Sequence, residues 1–334
     1  MESFCTVYQA ELLALHGATE EAVKSGREIC GVLSDSRAAL DTGFAIKAIR
    51  GFRTISGTAA IALAAFTPLH IKINEVASVE TAKLTARATH LPEDITLERP
   101  SAPHELLHHR KGSTWTYLVQ LHNRTRPSST PRVTTRIYTD GSKQDGRVGA
   151  ALVIYSPNND TKVKKYKLHD TCSVYQAELL AIAEACSWID QHHIPDTTIF
   201  TDSMSATQEI SNPNSTNPFV VHIHKMYRQA IKHSRKITFV WVKAHVGIDG
   251  NEAADVAAKA ATHSHAAYKH TQFPISLIRY MAKQNSRLES DITYATGEKG
   301  QYTRNLLPNT DAINKLRAAI EIDFPWTQVL TGHG

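Results

Sequence analysis

VTTRIYTDGS, residues 133–142, alternates and is rich in β-branched side chains, which predicts a strand that ends at Asp140 and Gly141. Working outward, GRVGAALVIYS (146–156) and TKVKKYKLH (161–169) read as a second and third strand. SVYQAELLAIAEACSWIDQ (173–191) carries apolar residues at helical spacing, with Ser173 placed to cap the helix. DTTIFTDS (196–203) is a strand ending at Asp202, and NPFVVHIHKMYRQAIKHSRK (217–236) a helix. KITFVWVKAH (236–245) is a fifth strand, and GNEAADVAAKAAT (250–262) a last helix entered through a glycine loop. This order predicts an α/β fold. Its five-stranded mixed sheet, half antiparallel and half parallel, is flanked by helices, with mostly helical N-terminal and C-terminal extensions.

Four acids stand out. Asp140 and Asp202 each close a predicted strand, and in open α/β sheets chemistry gathers at the carboxyl ends of strands. Glu178 sits inside the apolar run QAELLAI, a costly place for a charge without a partner. Asp255 lies on the last helix. Taken singly, each has an ordinary reading: a turn residue for Asp140, a helix cap for Asp202, a solvated face for Asp255. Taken together, they can meet only if the first and fourth strands lie side by side. Carboxylates gathered in that way repel one another unless cations neutralise them. Two Mg²⁺ ions would do so and would suit displacement at phosphorus.

YTDGS, YQAELLAI, FTDS and WVKAHVGIDGNEAADVAAKAA, in that order, resemble the four signature blocks of type 1 ribonuclease H, and most of all the ribonuclease H domain of non-LTR retrotransposon polyproteins. The resemblance covers nearly all of 133–262. It implies a ribonuclease H-like fold and hydrolysis of the RNA strand of an RNA–DNA hybrid, leaving 5′-phosphate and 3′-hydroxyl ends. It also implies two Mg²⁺ ions, with Mn²⁺ as a substitute, on Asp140, Glu178, Asp202 and Asp255. A histidine in the loop before the last acid assists turnover in that family; the matching residue is His245. Integrases order their acids Asp, Asp, Glu, and proofreading exonucleases begin with Asp-x-Glu, so the order here favours ribonuclease H.

Nucleic acid is the partner this implies. Residues 133–262 hold 14 Lys+Arg against 13 Asp+Glu, so charge is patterned rather than large. Lys225, Arg228 and Lys232, together with Arg235 and Lys236, make the 217–236 helix the better candidate for phosphate contacts. KVKKYK (162–167) is a second basic stretch, equally readable as a solvated face. Phosphate contacts give salt-dependent affinity without sequence information, and RNA is told from DNA by its 2′-hydroxyls. Gly141 and Ser142 are candidate contributors to that discrimination.

The rest of the chain is less specific. It has 334 residues and a formal charge of +5. Its four cysteines, Cys5, Cys30, Cys172 and Cys186, form no C-x-x-C pair, which argues against a zinc knuckle or a disulfide scaffold and for a reducing compartment. The most apolar window, GTAAIALAAF (57–66), is too short to span a membrane and reads as a buried helix. With no secretory signal visible, the expected location is intracellular, in nucleus or cytoplasm. CTVYQAELLAL (5–15) repeats CSVYQAELLAI (172–182) at an offset of 167, keeping Glu11 and Asp35 in register with Glu178 and Asp202. Ser78 and Ala88 stand where His245 and Asp255 would fall, so this copy is read as inactive.

The expected organisation is a partial repeat at 1–41, a helical connector resembling the end of a reverse transcriptase at 44–125, a linker at 126–132, the ribonuclease H domain at 133–262 and a C-terminal tail at 263–334. No Y-x-D-D polymerase motif is present. The alternative to an active enzyme is a catalytically silent nucleic-acid-binding relic of a retrotransposon. No protein partner is implied.

Overall fold

The computed structural model describes residues 42–52, 54–88, 91–106, 119–121 and 134–332. The partial repeat and the 126–132 linker lie outside them. The chain divides into two compact units, 81–278 and a second made of the residues up to Glu80 with those from Arg279 on.

The first unit is built on one mixed sheet. Its strands are β1 (Val119–Leu121), β2 (Thr135–Gln144), β3 (Arg147–Tyr155), β4 (Thr161–Leu168), β5 (Asp196–Thr201), β6 (Lys236–Trp241) and β7 (Tyr268–His270), in the spatial order β1-β6-β5-β2-β3-β4-β7. The five expected strands are all present, and two three-residue strands extend the edges. β2, β3 and β4 form an antiparallel meander, while β5 pairs parallel to β2 and β6 parallel to β5. β2 does not end at Asp140: it runs on to Gln144, because Gly141–Gln144 keep their pairing with Arg147–Ala150.

Helices cover both faces of the sheet. On one face, α4 (Val174–Gln191) and α6 (Pro218–Lys232) pack Leu179, Ile182, Ile189, Val220 and Ile223 onto Ile137, Ile199 and Phe239. On the other, α7 (Asp249–Thr262) lays Ala254, Ala257 and Ala258 on Tyr138, Val153, Phe200 and Val240. The period of two along each strand sorts the side chains: Ile137 and Ile199 go to the α4 face, Tyr138 and Phe200 to the α7 face. Each fully buried aliphatic or aromatic side chain contributes about 1.5–3 kcal/mol. A further helix, α5 (Met204–Ser211), starts at Ser203, whose side chain accepts from the Ala206 amide. Ser203, not Asp202, therefore caps it, which leaves the Asp202 carboxylate for other uses.

The described residues between 86 and 106 of this unit form no helix. Leu97 bridges Phe273, with Glu98 N–H donating to Phe273 O and Phe273 N–H to Thr96 O, both at 2.9 Å. The helical expectation for 44–125 therefore stops at Thr85; the described residues after it hold only this bridge and β1. The second unit, described by itself, is helical: α1 (Gly43–Ala48), α2 (Gly57–Leu63), α9 (Gln301–Leu306), α10 (Thr310–Ala319) and α11 (Phe324–Thr331), with α3 (Leu69–Thr85) and α8 (Ile275–Thr296) crossing its sequence boundaries. Ala45, Ile49, Ala60, Leu63, Tyr294, Ile313 and Leu330 form its core. No helix among the described residues is long and apolar enough to cross a membrane.

Two of the basic assignments change. α6 ends at Lys232, and Ser234 takes a left-handed backbone (φ 55°) that turns Arg235 inward. Arg235 is 8% exposed; it donates to Asp190 Oδ1 at 2.7 Å and to the carbonyls of Ile189 and Asp190. It is a structural ion pair, not a phosphate contact. In β4, alternation places Lys162 and Lys164 on one face of the strand and Lys165 and Lys167 on the other, so KVKKYK is not a single basic patch. Breaking a buried ion pair costs about 3–5 kcal/mol, and the partial exposure of Asp190 reduces that. Arg235→Ala is expected to lower unfolding stability by about 3 kcal/mol in urea melts; a loss below about 0.5 kcal/mol would contradict the pairing.

Candidate functional site

The parallel register pairs Thr139 with Thr201, so the next residues, Asp140 and Asp202, stand side by side at the end of the β2–β5 pairing. Both follow, two residues on, side chains that face α7. Glu178 arrives from α4, on the opposite face, and Gly141 makes that approach possible. A Cβ built on Gly141 would lie 2.5 Å from the Glu178 amide nitrogen and 2.8 Å from the Ala177 carbonyl carbon. Only a residue without a side chain lets the first turn of α4 come this close to β2. Ser173 caps that turn as expected, accepting from Gln176 N–H at 3.1 Å, while Gln176 Oε1 accepts from Ser173 N–H at 3.0 Å. The two bonds form a capping box.

Asp140, Glu178 and Asp202 each offer a carboxylate oxygen within 4.8 Å of the others. Asp255 stands in a neighbouring group with His245 and Glu252, whose ligand atoms also lie within 4.8 Å of one another. The four sequence-predicted acids thus converge as three plus one. Asp255 Oδ2 receives Lys259 Nζ at 2.7 Å. His245 is mounted on a left-handed backbone (φ 54°) and is well exposed, with Nδ1 4.0 Å from Glu252 Oε2. Asp202 is held in place: Asn251 Nδ2 donates to its Oδ2 at 3.0 Å, and Trp241 Nε1 donates to its carbonyl at 2.9 Å.

The electrostatics favour a cation. Burial, then the charges of Asp202 and Asp255, push the Asp140 carboxyl up to about 7, against the pull of the Gly141 amide and Lys259. Burial, then Asp140 and Asp202, raise Glu178 well above the usual carboxylate range, and the Gly141 amide opposes this rise too. Glu178 Oε2 is buried and accepts no hydrogen bond among the described residues. An orphaned, buried carboxylate oxygen facing two further carboxylates is an oxygen donor set suited to a hard divalent cation. The residues present fit such an ion.

The expected nucleic-acid residues separate. Lys225, Arg228 and Lys232 are exposed on α6. Gly141 and Ser142 are buried within β2, Ser142 at 8% exposure. Gly141 acts instead through its missing side chain and its amide. Glu252, Asn251 and Lys259 were not singled out in the sequence. The signal for them was their spacing from Asp255 on one helix, at −3, −4 and +4, which brings them to its face or the next turn.

The profile of the RNase H family matches residues 132–263. Two curated relatives are similar to this chain. The Pol polyprotein of equine infectious anemia virus (strain Wyoming) is 34% identical over 140 residues, 41% of this chain and 11% of that protein. The Gag-Pol polyprotein of walleye dermal sarcoma virus is 30% identical over 145 residues, 37% of this chain and 8% of that protein. The chain spans about a tenth of the length of these relatives. Similar solved structures include RNase H1 from Halobacterium salinarum NRC-1 (16% identity, 38% of this chain and 96% of that one, TM-score 0.31). Another is the N-terminal RNase H domain of a Mycobacterium tuberculosis protein fused to maltose-binding protein (16%, 39% and 94%, TM-score 0.31). Residues 132–263 are an RNase H domain of the kind carried by retroelement polyproteins, with an RNase H-like fold.

Without a cation, native Asp140 keeps a proton that the unfolded chain has already released. Its contribution to stability is full below about pH 4 and is lost as pH rises to about 7. In chelator, the melting temperature is therefore expected to fall more steeply over this window in the unaltered chain than in Asp140→Asn. Mg²⁺ is expected to recover it near pH 7.5 and to do little near pH 4. Identical pH slopes in the two proteins would contradict the assignment.

Proposed function

We propose that this RNase H domain is an endonuclease that hydrolyses the RNA strand of RNA–DNA hybrids with two divalent cations, Mg²⁺ or Mn²⁺. The observation that carries the reading is the meeting of Asp140, Glu178 and Asp202 around an unpartnered buried oxygen. Those three residues, with Asp255 beside them, would hold the ions. Bound there, the cations supply Lewis-acid stabilisation to the attacking and leaving oxygens of an in-line displacement at phosphorus.

The chain's own residues do the rest. Asp202, fixed by Asn251 and Trp241, and Asp140, fixed by its strand register, set the point at which the scissile phosphate is presented. Glu178 approaches from the other face and marks the side from which water attacks. Water oxygen bonds to phosphorus and gives up its proton, the bond from phosphorus to the 3′-oxygen breaks, and that oxygen takes a proton. His245, exposed on its loop, would carry a proton to or from solvent at this step. Lys225, Arg228 and Lys232 on α6 bind backbone phosphates, which gives affinity that falls with salt.

The test is a duplex with a labelled RNA strand, incubated with the full chain in magnesium buffer with and without chelator. Chelator-sensitive loss of the RNA strand is expected. Asp140→Asn is expected to abolish cleavage while hybrid binding persists. Full activity in Asp140→Asn would overturn the site, and tight binding without cleavage by the unaltered chain would favour a silent nucleic-acid-binding relic.

A further inference from the structure

Gln176 lies two residues before Glu178 in the first turn of α4 and is 2% exposed. The capping box uses its backbone N–H and its Oε1. Its Nε2 turns outward from the helix, donating to Gln272 O at 3.1 Å and to Glu98 Oε2. That carboxylate is itself nearly enclosed, with a side chain 11% exposed, and its Oε2 meets His270 Nε2 at 3.2 Å. Glu98 is held in turn by the strap it belongs to. Its N–H donates to Phe273 O, and Leu97 and Phe273 on either side of the bridge are 5% and 0% exposed.

A carboxylate does not enter such a place without compensation. Desolvation disfavours the charge unless charge-assisted hydrogen bonds replace the lost water. Here the replacements are the Gln176 amide and the His270 ring, and both lie at the start of α4 or against it. Ser173 and Gln176 Oε1 already complete the helix cap between them, so the Glu98 contact is not needed to begin the helix. It ties the cap's own glutamine to two flanking segments. Neither Glu98 nor His270 falls inside the span that matches the RNase H family, 132–263.

We infer that Glu98 is a positioning residue for Glu178. It grips Gln176 and so fixes the first turn of α4 in the setting that aims the Glu178 carboxylate past Gly141 at Asp140 and Asp202. Glu98 touches no reacting atom and acts through Gln176. The strap at 95–98 and the segment 268–273 are therefore part of the apparatus that sets the geometry of the acid cluster. This inference rests on the reading of that cluster as a divalent-cation site.

The experiment is a Mn²⁺ titration of the full chain, with free ion counted by electron paramagnetic resonance and each variant's melting temperature recorded beside it. Removing a residue that orients a metal ligand typically weakens metal affinity by about 10–100-fold. Glu98→Ala is expected to weaken Mn²⁺ binding at least about tenfold. Glu98→Gln, which keeps an oxygen for Gln176 Nε2, is expected to restore most of it. Should Glu98→Ala fail to fold, Glu98→Asp, which withdraws the acceptor by one methylene, is read in its place with the same expectation. Leu97→Ala removes packing from the same strap without touching Gln176; it is expected to lower the melting temperature and leave Mn²⁺ affinity unchanged. Unchanged affinity in Glu98→Ala or Glu98→Asp, absence of rescue by Glu98→Gln, or equal weakening in Leu97→Ala would overturn the inference. An unaltered chain that binds no Mn²⁺ would overturn the cation site as well, which separates the two failures.

Discussion

Three carboxylates that repel one another are forced together by backbone geometry, and the rest of the domain follows from that conflict. Two of them, Asp140 and Asp202, are neighbours because β2 and β5 run parallel in one register. The third, Glu178, comes from the opposite face through a gap that exists only because Gly141 has no side chain. Burial then makes the negative charges of Asp140 and Glu178 more costly, which raises both carboxyls above the usual carboxylate range. An arrangement that costs stability in isolation is useful when an ion of opposite charge resolves it.

The surroundings share the task of holding the conflict in place. Asn251 and Trp241 fix Asp202, the Gly141 amide faces both Asp140 and Glu178, and Lys259 supplies a positive charge at Asp255. The cluster also has an open side. His245 and Glu252 stand at its rim on the loop and first turn leading into Asp255, with His245 largely in solvent. The acids thus lie behind an exposed histidine on the side that faces solvent.

Much of this was legible in the sequence, for identifiable reasons. Strand alternation and helical spacing are local properties, so β2 to β6, α4 and the Ser173 cap could be read directly. The four acids were legible jointly, because they stand in four blocks that follow one family's order, although each taken singly reads as an ordinary turn, cap or surface residue. What escaped reading depends on contacts distant in sequence. Gly141 follows an Asp and precedes a Ser, a pattern that reads as a turn or a substrate contact; its close approach to α4 needs the packed helix to be seen. Arg235 continues a basic helical pattern, and only the left-handed turn at Ser234 diverts it to Asp190. Glu98 gave no signal, since its partners Gln176 and His270 are 78 and 172 residues away. The lysines of β4 look like one patch in one dimension and fall on two faces in three.

The central claim is that the acid trio exists to be neutralised by divalent cations, and direct ion counting tests it. Equilibrium dialysis of the full chain against Mg²⁺ near neutral pH, with Asp202→Asn dialysed in parallel, measures ions bound per chain without reference to any reaction. The account predicts saturable binding to the unaltered chain that is lost or greatly weakened in Asp202→Asn. Equal binding by both proteins, or none by either, would contradict it.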